Sequence, residues 1–270
     1  MTIALSILGF LLLTLLIGKM NLSIQFSKRV KTLFAQSKNI SGQRFHKKQL
    51  DGLPEPVKRY FNHIFKEGQT YIHYARIKHV GQFKAGLNKD WMNIKGEQYA
   101  TIEKPGFIWK GTTRMFVAQD MYIAGKGRLI VSLFSLVDIV NAKGEAYNQG
   151  ELLRWLGESI LYPTNLLPND KLHWMPVDTR TAKLVFVHNG LSLFFKISFN
   201  DIGEITEMET KRYMDSKNLE TWVIKVAGYK ELNCMIIPTD FEVLWRLEKG
   251  DFSYAKFNIT QIEYDKPKEF

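Results

Sequence analysis

The sequence predicts a mainly β protein: a single strongly curved antiparallel sheet, a half-barrel covered by one or two helices, with an N-terminal transmembrane helix. Three observations predict it. Segment after segment alternates or runs apolar over strand lengths, tight turns join these segments, and an uncharged run rich in Leu and Ile opens the chain. Composition agrees, since aromatic residues make up 13% of the chain and aromatic side chains suit a pleated, half-buried surface.

Residues 1–18 carry no charged side chain. As a helix they span about 27 Å, close to the thickness of a bilayer's hydrocarbon core. No basic residue precedes the run, and Gly18-Lys19-Met20-Asn21-Leu22 is a poor cleavage site, so the segment reads as an uncleaved anchor rather than a signal peptide. The nearby positive charge all follows it: eleven Lys and Arg lie between Lys19 and Lys66, opposed only by Asp51 and Glu55. The positive-inside rule then places a single-pass protein in the cell membrane with its soluble part facing the cytoplasm. Large domains are exported despite such flanks, so the extracytoplasmic side stays open. The expected organisation is an anchor over 1–18, a basic neck over 19–52 with a linker at 36–49, and a β-rich domain over 53–270. Within the neck, Phe26, Val30, Leu33 and Phe34 share one helical face. Such a helix either lies on an anionic membrane surface through Lys28, Arg29 and Lys31 or packs on the domain.

Pro54 and Pro56 open a short helix whose apolar face is Val57, Tyr60, Phe61 and Ile64. Strands are expected at 71–80, 91–101, 107–116, 181–187, 191–199, 205–213, 221–229, 240–248 and 252–264. Their links carry turn chemistry, Asn189-Gly190 most clearly. Short links imply antiparallel neighbours, because parallel strands need long crossovers. A sheet of this many strands must curl. One helix, expected over 148–161, carries Leu152, Leu153, Trp155, Leu156, Ile160 and Leu161 and stops before Pro163. It is expected to cover the concave face or one open end.

The net charge of +10 does not indicate nucleic acid, because the chain beyond the neck is nearly balanced in charge. The single cysteine, Cys234, excludes an intrachain disulfide or a thiolate metal cluster, and its flanks read as a core strand. No G-x-S-x-G, H-E-x-x-H, phosphate-loop or dinucleotide fingerprint is present. Gly125-Lys126-Gly127-Arg128 could hold a phosphate, but its apolar flanks read as a hairpin. His73 and His79 would share one strand face about 20 Å apart, too far for a common metal. No cofactor or metal is therefore expected, and catalysis is left open. The best polar group is Glu151, Arg154 and Glu158, which helical spacing places on one face with the arginine between the acids. Carboxylates held by an arginine make poor general acids. Tyr99, Trp109, Trp155 and Trp245, among other aromatics, would suit an apolar ligand in a concave sheet or an ordinary core.

Several stretches resemble a family of bacterial membrane-anchored proteins classed as a domain of unknown function. They are Leu53-Pro54-Glu55-Pro56-Val57-Lys58-Arg59-Tyr60-Phe61, Pro105-Gly106-Phe107-Ile108-Trp109, Gly150-Glu151-Leu152-Leu153-Arg154-Trp155-Leu156-Gly157-Glu158 and Glu242-Val243-Leu244-Trp245. Gly157 departs from the alanine expected in that helix. More remotely, the layout is similar to LolA and LppX-type lipoprotein carriers, whose sheet wraps a hydrophobic cavity closed by helices. The family has no established activity to carry over; the polar helix group and the aromatics, set in a layout of this kind, lead to the expectation of a membrane-tethered binding module for a lipid or other apolar ligand, with Glu151, Arg154, Glu158, Trp155, Trp109, Tyr99 and Trp245 as ligand-binding residues. The alternatives are a hydrolase acting on a membrane-derived substrate through Glu151, Arg154 and Glu158, and a non-catalytic scaffold with a filled core.

Overall fold

Residues 2–37 and 42–270 are described by the computed structural model. The chain opens with one long helix, α1 (Thr2–Ala35), followed by α2 (Glu55–Ile64). A first meander then runs through β1 (Tyr74–Phe83), β2 (Met92–Thr101), β3 (Gly106–Thr112), β4 (Phe116–Ile123), β5 (Lys126–Leu133) and β6 (Val137–Lys143). Helix α3 (Glu145–Gly157) crosses to a second meander: β7 (Leu172–Pro176), β8 (Thr181–His188), β9 (Leu191–Phe199), β10 (Ile205–Tyr213) and β11 (Leu219–Ala227). A separate hairpin, β12 (Lys230–Leu232) and β13 (Met235–Ile237), precedes β14 (Asp240–Leu247) and β15 (Gly250–Tyr264).

Strands β14 and β15 fill the gap between the meanders, giving one thirteen-stranded sheet in the order β6-β5-β4-β3-β2-β1-β15-β14-β11-β10-β9-β8-β7. Every pairing in it is antiparallel. So wide a twisted sheet cannot stay flat, and it curls into a half-barrel. Helix α3 lies in the concavity, touching β3, β4, β5 and β6 on one side and β9 and β10 on the other.

The main core lies on the α3 face carrying Leu152, Leu153, Trp155 and Leu156, which meet α2 and strands of the second meander. Trp155 Nε1 donates to the Thr101 carbonyl at 2.9 Å. Beyond α3, two 3-10 turns, Glu158–Leu161 and Pro163–Leu166, plug this end, and Tyr264 Oη donates to the Leu161 carbonyl at 2.6 Å. Gly157 has a packing reason: a Cβ there would lie 2.6 Å from Ile224 Cδ1 and 3.2 Å from Phe195 Cζ.

A second core forms on the convex face. Phe26, Val30, Leu33 and Phe34 of α1 cover Tyr74, Tyr99, Ile108, Met121 and Ile130. The apolar stripe therefore docks on the sheet instead of lying on a bilayer. Arg29 is drawn in with it, Nη1 donating to Gln119 Oε1 at 2.6 Å, while Lys28 and Lys31 stay exposed. The neck makes more contacts than the sequence suggested. Phe45 is fully buried and its N–H donates to the Gln69 carbonyl at 2.8 Å, so this part of the expected linker belongs to the globular body. Residues 38–41 of that linker lie outside the described residues. Two local expectations also change. The strand expected over 107–116 breaks at a turn into β3 and β4. Cys234 is exposed rather than in a core strand, because Asn233 (φ 51°) and Cys234 (φ 63°) form the turn of the β12–β13 hairpin.

Candidate functional site: a cavity beneath helix α3

Between α3 and the concave face of the sheet lies a cavity of about 570 Å³. Antiparallel register builds its floor. Ile77, Gln98, Trp109, Asp120 and Leu129 are successive cross-strand partners, project from the same face and line the cavity. Most of the wall is apolar, with Ile94, Phe116, Val131, Ile224, Val243 and Phe257 among the lining residues.

Two glycines leave room for flat rings. A Cβ on Gly96 would overlap the His79 imidazole, and one on Gly111 would overlap Trp109. The two rings lie nearly parallel, at 2° between planes, and Trp109 Nε1 donates to His79 Nε2 at 2.7 Å. That bond puts the proton of neutral His79 on Nδ1. Burial, helped by the nearby Arg154 charge, pushes the His79 pKa down to about 3. The imidazole is therefore neutral at ordinary pH.

The polar end of the cavity holds three carboxylic acids and two arginines. Arg154 reaches from α3 to the sheet, donating from Nε to Glu158 Oε1 at 2.9 Å and from Nη1 to Asp120 Oδ2. Its guanidinium faces the Trp109 and Phe107 rings at 4.7 and 5.1 Å. Burial works against this cation, but Glu158 and Asp120 outweigh it and raise its pKa. Gln98 Nε2 completes Glu158 by donating to Oε2 at 2.7 Å. Arg212 comes from β10. Its Nε donates to the Gly150 carbonyl at 2.9 Å and its Nη2 to Glu151 Oε1 at 3.4 Å, over the Trp222 ring at 4.5 Å.

Glu151 thus turns to Arg212, and Asp120 takes the place expected for it beside Arg154. Burial raises the Glu151 pKa to about 8, with Asp120 adding to the shift and Arg212 and Arg154 opposing it. Burial thus favours the neutral, protonated form of Glu151. The sequence-based expectation of a lowered pKa for both helix carboxylates does not hold for Glu151, because desolvation outweighs the arginines. Two buried polar atoms of the cavity lining have no hydrogen-bond partner among the described residues, Glu151 Oε2 and His79 Nδ1.

Of the seven residues singled out from the sequence, Glu151, Arg154, Glu158, Trp109 and Trp245 line the cavity. Tyr99 does not, since it projects to the convex face beneath α1. Trp155 does not either, since it packs on Phe186 in the main core. Trp222 and Tyr254, two of the other aromatics expected from the sequence to line a concave sheet, also belong to the lining, whereas Asp120, Arg212, Gln98 and His79 belong to it without having been singled out for a ligand site. Among the described residues no group of His, Cys, Asp and Glu has the geometry of a metal site.

Fold and site together define a class: a curved antiparallel half-barrel enclosing a mostly apolar cavity with a polar end. Residues 43–257 match a family of unknown function, DUF6544, and the chain belongs to it. No curated protein matches the sequence. Among solved structures the chain is similar to a LolA superfamily protein from Nitrosomonas europaea, at 7% identity and a TM-score of 0.42, covering 78% of this chain and 92% of that one. It is also similar to an outer membrane lipoprotein-sorting protein domain from Vibrio parahaemolyticus, at 9% identity and a TM-score of 0.42, covering 73% of this chain and 87% of that one.

Proposed function

We propose that the protein is a membrane-tethered binding module that holds a lipid or other apolar ligand between α3 and the sheet. The cavity carries this reading. Its volume of about 570 Å³ lies within the range of small-molecule sites. Ligand sites of this kind pair apolar walls with a few fixed polar groups. Here Glu151, Arg154 and Glu158 offer the polar end, and Trp109 and Trp245 the walls. In its neutral form, which burial favours, the Glu151 carboxyl both donates and accepts, which suits a polar head group on an apolar tail. Helix α1 supports the tether. The helix is long and apolar enough to cross a membrane, its first half is apolar and exposed, and its second half is docked on the domain.

The test is binding of a fluorescent polyene fatty acid, cis-parinaric acid, to protein lacking residues 1–17. Ala118 lines the cavity, and Ala118→Trp would fill part of it. Saturable binding that weakens at least tenfold in Ala118→Trp, with the fold intact by circular dichroism, is the expected result. Equal binding by both proteins would place the probe elsewhere.

A further inference from the structure

We infer that the open end of the cavity faces the bilayer, so that an apolar ligand passes between lipid and cavity without crossing water. This rests on the reading of α1 as a membrane anchor and adds an orientation to it.

The direction of α1 is the first observation. Leu33 lies against Gly106, at the start of β3, and Gly18 lies against Ser135 and Leu136, in the turn after β5. Strand register puts those two points at opposite ends of the sheet, since Phe107 pairs with Tyr122 and Tyr122 with Gly127 near the start of β5. The helix therefore runs along the convex face and leaves it at the β5–β6 turn. Residues 2–17 continue from there without burial, about 24 Å of apolar helix.

The cavity extends to the same end. Lys84, Ala85, Gly86 and Thr113, from the β1–β2 and β3–β4 turns, line it. The turns at the other end, 102–105 and 124–125, contribute no lining residue, and that end is plugged by the turns after α3.

The turns at the open end carry surface that suits a membrane. Leu87, Met115, Phe134 and Leu136 are all exposed. Phe134 sits in a left-handed backbone (φ 51°), a conformation bulky residues rarely take, and its N–H donates to the Met115 carbonyl at 2.7 Å, joining the two tips. These three turns hold Lys84, Lys89 and Arg114 against Asp90, a cationic excess that anionic headgroups attract. The tips lie level with Gly18, where the apolar run of α1 meets Lys19. Apolar tips at the boundary where an anchor leaves the bilayer meet lipid headgroups and upper acyl chains.

The experiment uses the full chain carrying Cys234→Ser, with one environment-sensitive fluorophore attached through Met115→Cys, Phe134→Cys or, as a control at the opposite end, Lys104→Cys. Each protein is reconstituted into phosphatidylcholine–phosphatidylglycerol vesicles containing nitroxide-labelled lipid, and folding is checked by circular dichroism. The inference expects the protein to float with the vesicles, with labels at 115 and 134 losing most of their emission and the label at 104 keeping it. Failure to float removes the anchor and the inference with it. Flotation without quenching at both mouth positions, or with equal quenching at 104, keeps the anchor and overturns the orientation. A mouth label shielded from water yet not quenched by lipid would indicate a protein partner or second copy, and would likewise overturn it.

Discussion

Arg154 holds Asp120 and Glu158 together against the Trp109 ring, with only 11% of its side chain exposed. Replacing it with methionine leaves two largely buried carboxylates without their cation. Breaking a buried pair from one side costs about 3–5 kcal/mol, whereas a surface pair is worth about 1 or less. Arg154→Met is therefore expected to lose several kcal/mol in urea unfolding, and a loss below about 1 kcal/mol would show that the cluster is not buried. Glu151 gives a pH signature. Its pKa rises from 4.5 unfolded to about 8 folded, so the folded state holds a proton that the unfolded state has released. The stabilisation is complete below about 4.5 and is lost as pH climbs towards about 8. Thermal unfolding of the protein should fall over that window, and Glu151→Gln should flatten the fall. His79 acts in the opposite sense, because its lowered pKa makes stability decline as pH falls from about 6.5 towards 3. The helix residues of this cluster were legible because helical spacing is local. Their partners were not, since Asp120 is 34 residues from Arg154 and Arg212 is 61 from Glu151, and only sheet curvature joins them.

The strands of the second meander follow their turn chemistry, as Asn189-Gly190 between β8 and β9 shows. The β4–β5 hairpin was read from the apolar flanks of Gly125, but the extents of β4 to β6 were harder to read. Gln119 and Asp120 interrupt the apolar pattern of β4, because one face lies under α1 and the other holds Arg154. Strand β6 is a sheet edge with largely exposed side chains, so alternation barely shows. For α1, an apolar stripe serves a bilayer and a protein surface alike, and the sequence could not choose between them. Docking changes what truncation should do. Removal of residues 1–17 leaves the docked half in place, and that protein should be soluble and cooperatively folded. Removal of residues 1–48 strips Phe26, Val30, Leu33, Phe34 and Phe45 from the cores, each worth about 1.5–3 kcal/mol. It should aggregate or melt well below the shorter truncation. Equal melting temperatures would show that α1 contributes nothing to the domain.

At the scale of the whole molecule, one sheet serves two purposes. Its convex face binds the docked half of α1, and its concave face is only partly filled by α3. The curled architecture followed from strand number and turn length, but the unfilled volume did not, because aromatic residues at strand positions fit a packed core and a lined cavity equally well. Trp109 and Trp245 face the cavity, whereas Tyr99 and Trp155 are packed elsewhere. The central claim is that the cavity is where the apolar ligand sits. Isoleucine methyl NMR of protein lacking residues 1–17, titrated with an unlabelled fatty acid, tests it directly. Ile77, Ile94, Ile139 and Ile224 line the cavity, Ile108 and Ile130 lie beneath α1, and Ile160 and Ile205 are buried away from the lining. Saturable shift changes that are largest at the first four are the predicted result. Shift changes largest at Ile108 and Ile130, or none at the cavity methyls at saturating fatty acid, would contradict it.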